Sequence, residues 1–372
     1  MDAMDFSVNL GAVAGLVDAL ELRAHNLVGA ASYLRVHSSL GFGAGLANEL
    51  AHTHERMVGE ITSFLRRAGN DYADQYSVAI GRAIRAYQTS DRQASARLDA
   101  SLPGVIDPSQ PDHVANQTLS PGIFADPSCL ILATPPDFHA QYPYHPRWYD
   151  LLSPSSIQRD LVWHLTGLLT RLGLFSEQFD VYEGITAPLC GDWAGLEQVS
   201  FALTQVARAL EYVSDRLDEE ATSLDRVWTG HAAGNCRSAL RRFAHDLRCA
   251  EDLVVAIAAE YHQVAVTARE QGEALTTLVT VIIDIAGSCG IEFGVELTAD
   301  ALFDLPRLSQ IGTALWRVLR QAKNLIEVLH LTVEGAHSNL ADLCHRLGVL
   351  TARPFVVNLP DDMPALPAPA HR

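Results

Sequence analysis

Histidine and cysteine are the residue types best suited to metal binding and nucleophilic catalysis, but their spacing in this chain matches no such site. His52 and His54 lie two residues apart, so on a helix their side chains diverge by about 200° and do not share a metal ion. His330 and His337 lie about two helical turns apart. A packed or solvent-facing histidine is the expected state of each.

His231 and Cys236 lie close to a motif of interest, Trp228-Thr229-Gly230, but no paired carboxylate, Gly-x-Ser-x-Gly elbow or phosphate loop accompanies them. The six cysteines include no Cys-x-x-Cys pair, which argues against a zinc ribbon or a thioredoxin-like site. Cys236 and Cys249 fit apolar helix positions. We therefore predict no catalytic residues, no metal ligands, no cofactor and no enzymatic activity.

Trp228-Thr229-Gly230 lies between two stretches of helical periodicity. Glycine permits the tight backbone between antiparallel helices, while the indole can cover the open end of the pair and offer its N–H to a partner. Two interpretations remain open: a tryptophan that closes the end of a bundle, or a recognition element.

Tyr87 and Asp91 lie four residues apart near the end of another helical stretch, which places the phenol and the carboxylate on one helix face. Chance alone gives roughly one Tyr-x-x-x-Asp/Glu match in a chain of this composition. The informative feature is the position, which ends a predicted hairpin and precedes a proline-rich segment. A solvated helix end is the alternative interpretation.

Helical periodicity is the strongest signal and predicts an all-α protein. In the first hairpin, apolar residues at alternating steps of three and four define a stripe, and a glycine-rich break over residues 38–45 separates it from a second helix predicted over about 46–99. The first stripe comprises Leu10, Val13, Val17, Leu20, Ala24, Leu27, Ala31 and Leu34. The second comprises Leu50, Met57, Ile61, Phe64, Ala68, Tyr72, Ala79 and Ala83.

A second hairpin repeats this pattern over residues 196–224 and 236–264, with the Trp228 turn between them. Another helix is predicted after Asp304, extending through Leu347. No stretch alternates with period two for long enough to form a sheet. We expect two long antiparallel hairpins that pack as a four-helix bundle, with extra C-terminal helices.

Composition divides the chain into six parts. They are the first hairpin (1–100), a proline-rich connecting segment (101–156), a short amphipathic helix and loop (157–189), the second hairpin (190–290), a C-terminal helical region (291–353) and a proline-rich tail expected to be flexible (354–372).

The charge balance, 27 basic against 44 acidic residues with a net charge of −17, disfavours binding to nucleic acid or to anionic membrane surfaces. Residues 1–10 lack the basic region of a Sec or Tat signal peptide, so export would need another route. The most apolar window, residues 274–291, is interrupted by Asp284. It is expected to be a buried helix, and weak membrane contact is the minor alternative.

These motifs give the chain a resemblance to proteins secreted by actinobacterial type VII (ESX) systems. Residues 1–100 resemble the EspC-like helical hairpins, whose end carries a Tyr-x-x-x-Asp/Glu export motif at the place of Tyr87 and Asp91. Residues 191–268 resemble a WXG100 module, with Trp228-Thr229-Gly230 at the family's turn.

Two departures split the signature between the hairpins. The first hairpin has Gly41-Phe42-Gly43 in place of a Trp-x-Gly turn, and in the second Tyr261 is followed by Ala265 where an acidic residue is expected. Secreted members of these families commonly pair as heterodimeric four-helix bundles. The resemblance therefore implies an internal pseudo-heterodimer that brings the Tyr87/Asp91 signal and the Trp228 turn to the same end, as a composite surface for the export ATPase.

What the resemblance implies is a secreted or cell-surface protein, cytoplasmic before export, with a structural, interaction or virulence-associated role. The implied partners are a type VII secretion ATPase or chaperone and a co-secreted WXG100 or related helical protein. Two other classes stay open: a delivery scaffold for a polymorphic toxin, and an intracellular coiled-coil scaffold that is never exported.

Overall fold

The computed structural model describes residues 7–41, 45–89, 121–124, 130–139, 156–180, 182–288 and 305–353, and these ranges are mostly helical. The prediction of an all-α protein is confirmed. The main helices are α1 (Leu10–His37), α2 (Ala51–Arg66), α3 (Asp74–Thr89), α4 (Ser156–Arg171), α5 (Trp193–Leu224), α6 (His231–Ser288) and α7 (Leu305–Thr351).

The first hairpin consists of α1 and a returning segment that is interrupted. Asn9 caps α1, since its side-chain oxygen accepts the Ala12 N–H at 3.1 Å. The single helix predicted over 46–99 is wrong in this respect: a 3₁₀ turn (Leu46–Leu50), α2, a π-helical segment (Arg67–Ala73) and α3 follow one another. The predicted part beyond Thr89 lies outside the described residues.

The π-helical segment changes which side chains of α3 face inward. A π turn holds one more residue than an α turn, so it rotates the face that follows. Leu65 is buried before the segment, and after it Tyr76 is buried while Gln75 is exposed. The buried residues of α3 accordingly continue through Ile80 and Ala83 to Tyr87.

The second hairpin pairs α5 with the first half of α6. The Ser200 hydroxyl donates to the Ala258 carbonyl at 2.8 Å, and an ion pair between Asp225 and Arg237 joins the two sides of the turn. Helix α6 has 58 residues and runs far past the end of the predicted stripe at Val264. Its last part, which includes Leu275, Val279 and Ile282, packs instead against α4 and the first half of α7.

The two hairpins pack against each other, so the predicted bundle is confirmed. Helix α1 contacts α2 and α3 of its own hairpin and α5 of the other. Buried residues from both hairpins, such as Leu20, Ile61 and Leu210, belong to one continuous hydrophobic core. Each hairpin thus buries its apolar face against the other.

Helix α7 runs antiparallel to α6 and extends the bundle. The Asn339 amide donates to Glu260 at 3.0 Å, and Arg353 lies 3.0 Å from Asp246. The second half of α7 joins the main core, while its first half forms a smaller core with α4 and the end of α6. The fully or nearly fully buried residues of this smaller core include Val162, Leu165, Leu169, Leu275, Val279, Ile282, Leu315, Leu319 and Ala322.

Two described pieces of the proline-rich segment lie on the outer face of the bundle. Residues Pro121–Phe124 form a 3₁₀ turn that packs against α1 and α5 and buries Phe124. Residues 130–139, which we call the strap, are not helical, and they lie across α1 and α5 with Leu130, Leu132 and Phe138 against the core. The described part of this segment therefore covers the bundle surface.

A buried ion pair crosses between the hairpins. Arg23 of α1 and Glu220 of α5 approach to 3.2 Å (Nε to Oε1), with side-chain exposures of 1% and 6%. The Tyr212 ring lies 5.5 Å from the Arg23 guanidinium carbon. Both charges interrupt apolar stripes, and each neutralises the other in the low-dielectric interior.

Replacing one member of this pair should lower the free energy of unfolding by more than replacing both members together. Arg23→Met or Glu220→Leu alone should lower the free energy of unfolding by about 3–5 kcal/mol, because each leaves an uncompensated buried charge. The double variant should lose less than the sum of the two. Urea unfolding of the four proteins measures this coupling, and additive losses would show that the pair is not energetically linked.

His54 of α2 joins three elements at the other end of α1. Its Nδ1 lies 2.9 Å from the Tyr261 hydroxyl of α6, and its Nε2 lies 2.8 Å from the carbonyl oxygen of Ser38, the residue that ends α1. Burial lowers the pKa of His54, against the opposing effects of the Ser38 carbonyl and of Glu55. The neutral imidazole is therefore the form that the fold favours.

Acidification should destabilise the protein through His54. Because its folded-state pKa is depressed, its contribution is complete above the unfolded pKa of about 6.5 and is lost as the pH falls below that value through the folded pKa. His54→Gln should reduce the loss of unfolding free energy between pH about 7.5 and about 5.5. The matched control is His52→Gln, since His52 is exposed two residues earlier; equal pH dependence in the two variants would contradict the assignment.

Candidate functional site

Three parts of the chain meet at one end of the bundle: the start of α1, the end of α3 and the turn between α5 and α6. Residues Ser7–Val8 pair with Trp228–Thr229 as two short antiparallel strands, and the Asn9 N–H donates to the Val227 carbonyl at 2.7 Å. A pairing of two residues on each side is too short for alternation along the sequence to predict it. The extended backbone before α1 lies beside the turn, so the two segments satisfy each other's backbone groups.

Thr229 and Gly230 fix the geometry of the turn. The Ser7 N–H donates to Thr229 Oγ1 at 2.9 Å, and the two hydroxyls lie 3.1 Å apart. Gly230 has a φ of 116°, a conformation that L side chains rarely adopt. Helix α6 begins at the next residue, which agrees with the turn that the sequence predicts there.

Trp228 points into the bundle. Its side chain is fully buried, and its ring meets the Tyr87 ring edge to face, with centroids 6.0 Å apart and an interplanar angle of 82°. The buried indole N–H has no hydrogen-bond partner among the described residues. The indole therefore closes the end of the bundle, which is the first of the two interpretations that the sequence left open.

Tyr87 is also interior, with 5% of its surface exposed. Tyr87 and Trp228 lie at the same end of the bundle, as the resemblance implies, but the two rings form a core contact, not an exposed composite surface. The burial was readable from the sequence, because Tyr87 follows Ala83 of the apolar stripe by four residues and so shares its face. Asp91 lies outside the described residues.

An ion pair that the sequence analysis did not identify fastens this turn. Arg237 of α6, which is 4% exposed, pairs with Asp225, the residue that ends α5. The two charges flank the Trp228 turn on opposite sides. An acidic and a basic residue on either side of a predicted helical turn could have indicated this ion pair in the sequence.

Cys236 and His231 are the residues near the Trp228 turn whose side chains are of a type that takes part in nucleophilic chemistry. Burial raises the pKa of the Cys236 thiol to about 12, which keeps it protonated near neutral pH. His231 is half-buried at the start of α6. Within the described ranges, no group of three or more His, Cys, Asp or Glu side chains could hold a metal ion. The described residues at this end join three chain segments through backbone and ring contacts.

Comparisons with protein-family models, with curated proteins and with solved structures find no match to this chain. Among the described helices, none has a stretch long and apolar enough to cross a bilayer. In the 274–291 window, Leu275, Val279 and Ile282 instead face the smaller core.

The Tyr87 ring should contribute to stability chiefly through packing. Tyr87→Ala should lower the free energy of unfolding by about 3–5 kcal/mol, since it removes an aromatic ring from the core. Tyr87→Phe keeps that ring and should cost about 1 kcal/mol or less. Chemical denaturation compares the two, and similar losses in both variants would assign the effect to the hydroxyl group.

Proposed function

We propose that this protein is a substrate of a type VII (ESX) secretion system, exported as a folded helical bundle that acts by binding other proteins. Its two hairpins serve as an internal pseudo-heterodimer. The protein resides in the cytoplasm before export and at the cell surface or in the medium afterwards. Its partners are the secretion ATPase or a chaperone and, after folding, a WXG100 or related helical protein.

The main support is the meeting of Tyr87 with the Trp228 turn. Each hairpin carries one half of the resemblance to secreted proteins, and the two halves lie 6.0 Å apart (ring centroids) at one end of a shared core. Two hairpins that did not pair would have left these residues far from each other. Pairing within one chain also needs no encounter between separate subunits.

The burial of Tyr87 defines the role that we assign to it. A ring with 5% exposure is not a surface for an ATPase to read, but it anchors the last turn of α3 beside Trp228. We assign the anchoring of the signal to Tyr87 and its recognition to Asp91. Trp228, Thr229 and Gly230 form the turn against which the anchor rests.

Helix α7 bears on the two other classes of function. Its second half contributes Leu329, Leu340 and Leu347 to the same core as both hairpins. A separable toxin would be expected to fold around its own core, so this packing favours an interaction protein over a delivery scaffold. An intracellular scaffold differs from our proposal by the absence of export, which an export assay decides.

Export should depend on Asp91 and on the Tyr87 ring, but not on the Tyr87 hydroxyl. In a host with a functional type VII system, Asp91→Asn should abolish appearance in the culture filtrate, whereas Tyr87→Phe should be exported normally. Immunoblots of filtrate and cell fractions, with and without the secretion ATPase, measure this. Wild-type export of Asp91→Asn, or export without the ATPase, would refute the proposal.

A matched core variant separates signal loss from instability. Tyr87→Ala should lose both export and stability. Leu34→Ala removes a fully buried side chain at the opposite end of α1 and should lose comparable stability. If Leu34→Ala stays in the cells as well, destabilisation alone explains the result for Tyr87→Ala, and the role of its ring in export is rejected.

A further inference from the structure

The strap is held by its backbone. The Tyr33 hydroxyl of α1 donates to the Ala133 carbonyl at 2.7 Å, and the Ala133 N–H donates to Gln205 Oε1 of α5 at 3.2 Å. Two side chains, one from each hairpin, thus grip both main-chain groups of a single residue. Such a grip requires an extended backbone and places no demand on the side chain of the residue held.

From Leu132 onward, burial along the strap repeats every three residues, and Leu130 before it is also half-buried. Leu132, Pro135 and Phe138 are half-buried, and the residues between them are exposed. A period of three is the repeat of a polyproline II helix, and the adjacent Pro135 and Pro136 favour that conformation. The spacing of Leu132, Pro135 and Phe138 thus matches one face of a polyproline II segment.

The surface beneath the strap has the features of a peptide-binding groove. Gln205 is 4% exposed, and its amide oxygen lies in the interface between α5 and the strap. Phe201 of α5 meets the Phe138 ring with centroids 6.2 Å apart. We call the surface between α1 and α5 that is formed by Tyr33, Phe201 and Gln205 the strap groove. It combines a main-chain clamp with an aromatic contact.

The strap is held more lightly than the helices beneath it. Ile131, a large apolar residue, is 84% exposed, and the four strap residues that face the bundle, Leu130, Leu132, Pro135 and Phe138, are only half-buried. The neighbouring residues of α1 and α5, such as Leu34 and Leu203, are fully buried. Segments with few buried apolar contacts open at a lower free-energy cost than the core.

We propose that the strap groove is a binding site for a proline-rich segment of another protein, with the pattern apolar-x-x-Pro-x-x-aromatic in polyproline II conformation. The strap occupies the groove in the free protein, and the partner segment binds by displacing it. This role is independent of export.

A fluorescently labelled peptide with the sequence of residues 130–139 tests the groove on the full chain. Fluorescence anisotropy should show saturable binding to the wild-type protein. A strap variant, Leu132→Asp with Phe138→Ser, should bind the peptide at least about tenfold more tightly, because the internal competitor is weakened. A peptide with both prolines replaced by alanine should bind more weakly to either protein.

The main-chain clamp formed by Tyr33 and Gln205 is tested in the strap variant, because there the protein's own strap no longer competes with the peptide. There Tyr33→Phe should weaken peptide binding about fivefold, through loss of one hydrogen bond. Ser32→Ala, an exposed neighbour on α1, is the matched control and should leave binding unchanged. Equal affinities of these two variants would reject the clamp.

Two outcomes would overturn the proposal. Absence of saturable binding to a strap variant that retains its helical circular dichroism would show that the groove does not recognise the segment. Binding to that variant but not to the wild-type protein would make the strap a permanent cover. Hydrogen exchange on the wild-type chain needs no variant: saturating peptide should speed exchange of the Ala133 amide, and unchanged protection would also reject displacement.

Discussion

Two helices packed as a hairpin bury only the sides that face each other, so each hairpin of this chain keeps an apolar face that water would otherwise contact. Helix α1 is the element in which this constraint is strongest. It contacts α2, α3 and α5, and residues 121–124 cover a further side. With neighbours in so many directions, α1 has little freedom of position, and the buried Arg23–Glu220 pair fixes its alignment against α5.

The end of the bundle follows from that alignment. Once α1 lies antiparallel to α5, its first residues reach the turn that leads into α6, where the backbone of Ser7–Val8 pairs with Trp228–Thr229. Helix α3 returns along α1 and ends at the same place, which brings Tyr87 against Trp228. Under our proposal, an export signal at this end is formed only after the two hairpins have folded together.

The strap on the outer face of the bundle also depends on both hairpins. The strap binds through a main-chain clamp to which each hairpin contributes one side chain, so the strap groove also depends on the pairing of hairpins. Asp192 strengthens that dependence: its carboxylate caps α5, accepts the Gly41 N–H of the first hairpin at 3.1 Å and lies 3.9 Å from His139 of the strap. The two proposed sites occupy different surfaces and rest on the same core.

Periodicity along the chain predicts both hairpins and the position of most helices, because an apolar stripe at steps of three and four is a local property. The sequence also placed the Trp228 turn, since Gly230 permits a backbone that few other residues adopt. Tertiary structure decided the rest. The π-helical segment determines which side chains of α3 face inward. Pairing of the hairpins buries Tyr87 and Trp228. The strap is held by residues that are more than seventy positions away in the sequence. Such contacts depend on the relative placement of distant segments, which periodicity along one helix does not encode.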